Sequence, residues 1–142
     1  MKEELDNKLV KAFPLLYKDR NAPMQSTAMC WGFPGDGWFN IIWDLSSKLE
    51  PLIQKFIDEN QDTELYPKAA QVKEKYGGLR FYMTSGSDEI YDLIDEAEAL
   101  SYKTCEVCGK PGEERLGGWV HTLCDYCHEN WDKIRAKIWE KE

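Results

Sequence analysis

The sequence predicts an α+β protein in which helices pack on a small antiparallel β-hairpin, with a small cysteine-rich module at the C-terminus. Three observations support this class: long stretches with apolar residues at helical spacing, one alternating stretch around a Gly-Gly pair, and two C-x2-C pairs. The chain has 142 residues, of which 42% are hydrophobic and 13% aromatic. That composition is sufficient for one hydrophobic core.

Four stretches carry apolar residues at steps of three and four, the spacing that places them on one face of an α-helix. The first contains Pro14, which should bend or shorten its helix. The third follows Ser87, whose hydroxyl can accept a hydrogen bond from the first turn. The sequence therefore predicts helices over about residues 3–19, 37–60, 88–102 and 125–140.

The stretch over residues 37–60 is expected to form the central helix. Asp36 stands where a capping residue is favoured, and Pro51 should kink the helix. Trp43 falls off the apolar stripe and therefore needs another partner or an exposed role. The stripe consists of Trp38, Phe39, Ile42, Leu45, Leu49, Leu52, Ile53 and Phe56.

Residues 69–84 predict a β-hairpin with Gly77-Gly78 as a two-residue turn, because glycine tolerates the positive φ angles that such turns require. This register places Lys75 opposite Arg80, and directly opposed residues share a face. One face is mostly apolar and contains Val72, Glu74, Tyr76, Leu79, Phe81 and Met83. The other is basic and contains Gln71, Lys73, Lys75, Arg80, Tyr82 and Thr84.

Four cysteines have the spacing of a metal site: Cys105 and Cys108, then fifteen residues, then Cys124 and Cys127. Four thiolates at such spacings can surround one Zn²⁺ tetrahedrally. Because the second pair opens the last helix, the expected arrangement is a treble-clef-like zinc finger with one structural Zn²⁺. The predicted organisation is an α+β core over residues 1–103 and a zinc-finger module over residues 104–142, packed as one unit.

The sequence favours a structural role for the zinc over a catalytic one. Four cysteines already close the tetrahedron, so His121 and His128 are spare candidates for coordination, and no position remains for an activated water. HTLCDYCHENWDK is similar to the end of HNH nucleases, but residues 109–120 contain no histidine or aspartate to act as base or ligand. Cys30 is interpreted as a buried thiol rather than a nucleophile. No residue is therefore predicted to be catalytic. The alternative to a non-catalytic binding protein is a small metal-dependent enzyme that acts on nucleotides or nucleic acid.

The candidate contact residues are aromatic and basic. Trp31, Phe33 and Trp43 belong to or follow the stretch CWGFPGDGWF (residues 30–39), which is rich in aromatic residues and glycine. Lys73, Lys75, Arg80 and Tyr82 on the basic hairpin face could bind a phosphate and stack on a base, or could be paired internally. The helix over 88–102 carries six acidic residues between positions 88 and 98 and no basic one. That acidic side is solvated or docks a basic partner.

Charge and composition limit the classes of partner and location. The net charge of -8 disfavours general nucleic-acid binding, because a polyanion is repelled. A zinc-finger nucleic-acid reader is the other alternative, but residues 103–128 carry three basic against four acidic residues. Neither a secretory leader nor a membrane-spanning stretch is recognisable, which predicts a cytoplasmic protein.

Three blocks in this order, GDGWF, QVKEKYGGLRFY and TCEVCGKPG followed by GGW and TLC, resemble a family of small proteins encoded by bacteriophages, prophages and some bacteria. The resemblance covers about residues 30–128. The family is functionally uncharacterised, so it implies a context and no mechanism. That context is a phage-type accessory protein in the bacterial cytoplasm, which binds or inhibits a host protein or sequesters a nucleotide signal, as in counter-defence.

Overall fold

The structure, a computed structural model, describes residues 1–140. It is an α+β fold, as predicted: within the described residues, five helices accompany two small antiparallel sheets. Two 3₁₀ turns, Ala28–Trp31 and Asp36–Trp38, precede the central helix. In chain order, the elements are α1 (Glu3–Ala12), α2 (Phe39–Asn60), β1 (Ala69–Lys75), β2 (Gly78–Met83), α3 (Asp88–Ser101), β3 (Glu113–Arg115), β4 (His121–Leu123), α4 (Asp125–Glu129) and α5 (Trp131–Glu140).

Helix α2 is the centre of the main core. It is continuous through Pro51 and ends at Asn60. The next residue, Gln61, has a left-handed backbone (φ 54°), and its N–H donates to the Ile57 carbonyl over 2.8 Å. Phe56, which the stripe included, is exposed. The buried residues of α2 are Ile41, Ile42, Leu45, Ser46, Leu49, Ile53 and Ile57.

The first helix is shorter than predicted. α1 ends at Ala12, and Phe13 leaves the helical region because the residue before a proline is disfavoured there. The chain then turns, and the Glu50 carboxylate on α2 accepts hydrogen bonds from the N–H groups of Leu15 (2.7 Å) and Leu16 (3.1 Å). These side-chain acceptors satisfy amides that a longer helix would have paired internally.

The hairpin forms, but its predicted turn is one residue too late. The turn residues are Tyr76 (φ 54°) and Gly77 (φ 80°), so Lys75 pairs with Gly78 and Lys73 pairs with Arg80. Moving a two-residue turn by one position shifts the pairing by two residues, and the side-chain period of two then keeps each face unchanged. The expected division into an apolar and a basic face is therefore correct between residues 71 and 82, although the opposed partners differ.

Helix α3 begins where expected, after Ser87, whose hydroxyl accepts a hydrogen bond from the Ile90 N–H over 3.4 Å. Leu100, near the C-terminal end of α3, is half exposed. The acidic side faces solvent, except that Glu98 makes an ion pair with Arg80 of β2. Internal pairing, one of the two alternatives for the basic face, is thus observed at Arg80.

The C-terminal part follows the predicted order of turn, hairpin, turn and helix, with β3 paired antiparallel to β4. The single helix expected over 125–140 is divided at Asn130 into α4 and α5. A second, smaller core joins Cys105, Leu123, Cys124 and Cys127 to Val107, Trp131 and Ile134. No helix within residues 1–140 has the length and apolar character needed to cross a bilayer.

Candidate metal centre

Four cysteines from two short loops come together at this smaller core. Cys105 and Cys108 lie on the turn after α3, where the Gly109 N–H donates to the Cys105 carbonyl over 3.0 Å. Gly109 has a φ of 80°, which side chains rarely allow. Cys124 caps α4, and its Sγ accepts a hydrogen bond from the Cys127 N–H over 3.4 Å. Each loop therefore contributes two thiols.

The geometry of the four sulfur atoms suits one metal ion. All four lie within 4.8 Å of one another, and the Sγ atoms of Cys108 and Cys124 are 3.6 Å apart. Sulfurs at about 2.3 Å from a tetrahedral metal are about 3.8 Å from each other. All four are free thiols, and only Cys108 is exposed. This four-cysteine site (Cys105, Cys108, Cys124 and Cys127) could hold a metal ion and would close its coordination. Cys30 lies outside it.

The surroundings of the thiols affect their ionisation differently. The Cys127 N–H lowers the pKa of Cys124 to about 7, because a donated hydrogen bond stabilises the thiolate. Burial raises the pKa of Cys127 and of Cys108. At neutral pH Cys124 therefore binds a metal more readily than Cys108 or Cys127, and a metal ion would compensate the cost of deprotonating these two.

The turn that carries the first cysteine pair is docked on residues 35–38, which we call the glycine corner. The Gly37 N–H donates to the Glu106 carbonyl over 3.0 Å, and Trp38 Nε1 donates to the Thr104 carbonyl over 2.9 Å. A Cβ on Gly37 would lie 2.1 Å from the Cys105 carbonyl oxygen. Glycine is required here because two backbones touch, and Trp38 is fully buried beneath them. The glycine corner therefore joins the main core to the four-cysteine site.

A second contact joins the hairpin turn to β4. The Thr122 hydroxyl is buried and donates to the Gly77 carbonyl over 2.6 Å, while the Glu106 N–H donates to the Thr122 carbonyl over 3.0 Å. On the far side of the turn, the Leu79 N–H donates to Ser101 Oγ over 2.9 Å. The β1–β2 turn is thus held between the end of α3 and the C-terminal hairpin.

These contacts bring together a second group of metal-ligating side chains, Glu74, Glu106 and His121, which we call the His121 cluster. One donor atom from each lies within 4.8 Å of the others. His121 Nδ1 is 2.6 Å from Glu106 Oε1, and the Thr122 N–H donates to Glu106 Oε2 over 3.3 Å. Burial raises the pKa of Glu74, and the charge of Glu106 acts in the same direction. Two partly buried carboxylates therefore face one imidazole.

Two tryptophans flank His121. The Trp131 ring centroid is 4.4 Å from the imidazole, and the Trp119 ring lies parallel to it at 6.1 Å. Trp119 is 75% exposed and follows two glycines with positive φ, Gly117 and Gly118. The cluster therefore lies between a packed indole and a solvent-facing one.

The aromatic residues proposed as contacts have different positions. Trp31 is 70% exposed and is available to a partner. Phe33 is not, because it is buried with its ring edge-on to Tyr17 at 4.9 Å. Trp43 is partly buried, with ring centroids 4.8 Å from Phe13 and 5.8 Å from Phe39. The prediction that Phe33 faces a partner is therefore wrong, and Trp43 has the packing partner that its position off the stripe required.

The basic residues share the expected face of the hairpin. Lys73 lies opposite Arg80, and its Nζ is 6.0 Å from the centre of the Tyr82 ring. Lys75 is exposed, with its Nζ 5.5 Å from the Tyr76 ring. Arg80 is engaged by Glu98, so the lysines carry the remaining positive charge of this face.

Sequence reasoning missed Glu74, Glu106 and Trp119 as functional candidates and considered His121 only as a spare ligand of the cysteine site. The available signal was Glu74, a carboxylate on an otherwise apolar strand face, which requires a polar partner when it is buried. Its partners are distant in sequence and are brought to it only by tertiary packing. His128 is exposed and is outside both groups of ligands.

Comparison of the chain with protein-family models, with curated proteins and with solved structures gave no match.

Proposed function

We propose that this protein is a non-catalytic, zinc-stabilised binding protein of phage type, which binds or inhibits a host bacterial protein in the cytoplasm. The observation that carries the proposal is the closed four-cysteine site docked on the main core. Four thiol ligands favour Zn²⁺ over hard cations, and a site with four protein ligands has no position for substrate. The metal then acts by fixing the C-terminal module and the side chains that it exposes.

Exposed apolar side chains support a protein partner. Leu116 is 79%, Trp119 75% and Tyr126 70% exposed, all in the C-terminal module, and Trp31 is 70% exposed next to the glycine corner. Tryptophan and tyrosine are enriched among residues that dominate binding energy at interfaces. A fixed module that presents them loses little conformational entropy on binding.

A nucleotide signal is the other ligand class for the same protein. Lys73, Lys75 and Tyr82 remain available for a phosphate and a base, but Arg80 is already neutralised by Glu98. Because the strongest phosphate donor of the face is occupied, a protein partner is favoured over a nucleotide.

The first test is native mass spectrometry of protein purified gently from bacteria. We expect one zinc per chain and a bound bacterial protein, which is then identified, purified and titrated. Trp31→Ala and Trp119→Ala should each weaken that binding by at least about tenfold, as expected for an aromatic hot spot. Leu65→Ala is the matched control, because Leu65 is 81% exposed but lies outside these surfaces. Equal affinity of all three variants would contradict the proposed surface.

The same mass spectrometry experiment tests whether the protein binds a nucleotide. A bound nucleotide should appear as a mass increment that denaturation releases, and Lys73→Ala combined with Lys75→Ala should abolish it. Lys55→Ala is the control, since Lys55 is exposed on α2. Protein that carries neither a partner nor a small molecule, and captures none from lysate, would overturn the binding proposal.

A specific observation favours a second candidate, a small metal-dependent enzyme acting on nucleotides or nucleic acid. Glu106 and His121 form the carboxylate–imidazole pair that residues 109–120 alone did not provide, and such pairs serve as bases or metal ligands. Turnover of nucleotides or nucleic acid with added divalent ions, lost in His121→Asn and retained in His128→Asn, would establish this candidate. If no turnover is observed with several divalent ions, the enzyme candidate is rejected and the proposal of a binding protein is retained.

A further inference from the structure

We propose that Glu74, Glu106 and His121 form a second site that binds a divalent transition-metal ion, separate from the four-cysteine site. The proposal goes beyond the binding function, which requires only the zinc site. It rests on three features: the donor set, two carboxylates that have no lysine or arginine partner within residues 1–140, and the exposed Trp119 beside the cluster.

The donor set is mixed and already assembled. Three donor atoms from β1, the cysteine turn and β4 lie within 4.8 Å of one another. Ligands at about 2.1 Å from a tetrahedral or octahedral ion lie about 3.0–3.4 Å apart when adjacent. An ion would therefore replace the hydrogen bond between His121 Nδ1 and Glu106 Oε1, now 2.6 Å long, and draw in Glu74 by a side-chain movement.

In the described part of the chain, the two carboxylates of the cluster have no positively charged lysine or arginine side chain paired with them. Among the ion pairs within residues 1–140, none joins a lysine or arginine to Glu74 or Glu106. The residue Glu106 is 9% exposed, and Glu74 is half-buried. Arg80 acts on Glu74 only over a distance, because it is paired with Glu98. When both carboxylates are ionised, a single imidazole cannot offset their charge, and a divalent ion would neutralise it.

The ligand chemistry selects the class of ion. A mixed set of one imidazole and two carboxylates suits Zn²⁺ and Fe²⁺, which bind imidazole, and also Mn²⁺, which binds carboxylates, whereas Mg²⁺ and Ca²⁺ prefer oxygen ligands alone. Three protein ligands leave at least one coordination position open, unlike the four-cysteine site. The exposed Trp119, parallel to the imidazole, borders the side on which an exchangeable ligand would enter.

The test starts from protein with one zinc per chain, verified by native mass spectrometry, to which Mn²⁺ is added in increments. Because the chain has only two histidines, the NMR signals of their imidazoles distinguish the sites. We expect substoichiometric Mn²⁺ to broaden the signals of His121 at lower Mn²⁺ concentrations than those of exposed His128, because paramagnetic broadening falls steeply with distance. Equal broadening of both histidines, or of neither, would overturn the proposal, and this readout requires no variant to fold.

A matched pair of variants tests the ligand assignment. Glu74→Gln retains a side-chain oxygen that can accept the Gly77 N–H, which donates to Glu74 Oε1 over 2.8 Å. It should weaken Mn²⁺ binding by at least about tenfold while the zinc count stays at one per chain. Glu114→Gln on exposed β3 should leave Mn²⁺ affinity unchanged. If the two variants bind Mn²⁺ equally, the cluster is an ion pair only and the proposal fails.

Discussion

Replacing Gly37 by alanine should separate the cysteine turn from the main core. The added Cβ would lie 2.1 Å from the Cys105 carbonyl oxygen, 2.6 Å from the Glu106 carbonyl carbon and 2.7 Å from the Gly109 nitrogen. All three are backbone atoms, so the clash cannot be relieved by a rotamer change. Gly37 does not have a positive φ, and alanine therefore adds no backbone strain of its own.

The magnitude follows from two terms. Overpacking of a tight contact costs about 1–3 kcal/mol, and loss of the hydrogen bond from the Gly37 N–H to the Glu106 carbonyl costs about 1 kcal/mol. We expect the free energy of unfolding to fall by about 2–4 kcal/mol. With an m-value of about 2 kcal/mol/M, the urea midpoint should fall by about 1–2 M.

The assay is urea unfolding of the zinc-loaded protein, followed by tryptophan fluorescence, together with the rate of zinc release to a chelator. Gly86→Ala is the control, because its Cβ meets only the side chains of Tyr91 and Ile90, at 3.1 Å and beyond, and Tyr91 is half exposed and can move. The control should change the free energy by less than about 0.5 kcal/mol. A Gly37→Ala protein with unchanged stability and unchanged zinc release would refute the docked arrangement.

Three further predictions follow. Trp38→Phe removes the Nε1 donor to the Thr104 carbonyl and should lower the free energy of unfolding by about 1–3 kcal/mol in urea, and an unchanged midpoint would contradict that hydrogen bond. Cys127→Ser should reduce the zinc count measured by native mass spectrometry to below one per chain. Because Trp131 packs on the cysteines, this variant should also weaken the near-ultraviolet circular dichroism. The control Cys30→Ser should change neither measurement. Burial raises the pKa of Glu50 above its ordinary 4.5, so its contribution to stability is present below pH 4.5 and is lost as pH rises through the raised pKa. The stability of the Glu50→Gln variant relative to the natural protein should therefore increase as the pH rises above 4.5 in urea titrations, and a pH-independent difference would exclude this account.

The sequence allowed prediction of features that depend on local spacing. The four cysteines, the Ser87 cap and the two faces of the hairpin depend on residues near one another in the chain, and each appears as expected. The turn was misplaced because Gly77-Gly78 is the stronger local signal. In the structure Gly78 is the first residue of β2 and pairs with Lys75 of β1. It lies against the Tyr102 ring, where a Cβ would be 2.4 Å from the ring. The second glycine is explained by packing and not by the turn.

Features that depend on tertiary contact could not be predicted in the same way. Phe33 and Trp31 are two residues apart in an irregular stretch, and no period indicates which of them is buried. The His121 cluster combines positions 74, 106 and 121, and only the docking of the hairpin turn on β4 brings them together. A buried acid on an apolar strand face indicates that a partner exists, but it does not identify the partner.

The docking of the cysteine turn explains three residues of the stretch CWGFPGDGWF: Gly35, Gly37 and Trp38. Gly35 and Gly37 would both place a Cβ within 2.3 Å of a carbonyl oxygen of that turn, and Trp38 donates to the residue just before it. Asp36 accepts a hydrogen bond from the Lys2 N–H over 2.7 Å, which fixes the N-terminus to the same corner. The turn that holds Cys105 and Cys108 therefore requires glycine at positions 35 and 37. A related chain that has lost the cysteines should therefore tolerate larger residues at positions 35 and 37, whereas one that keeps them should keep both glycines.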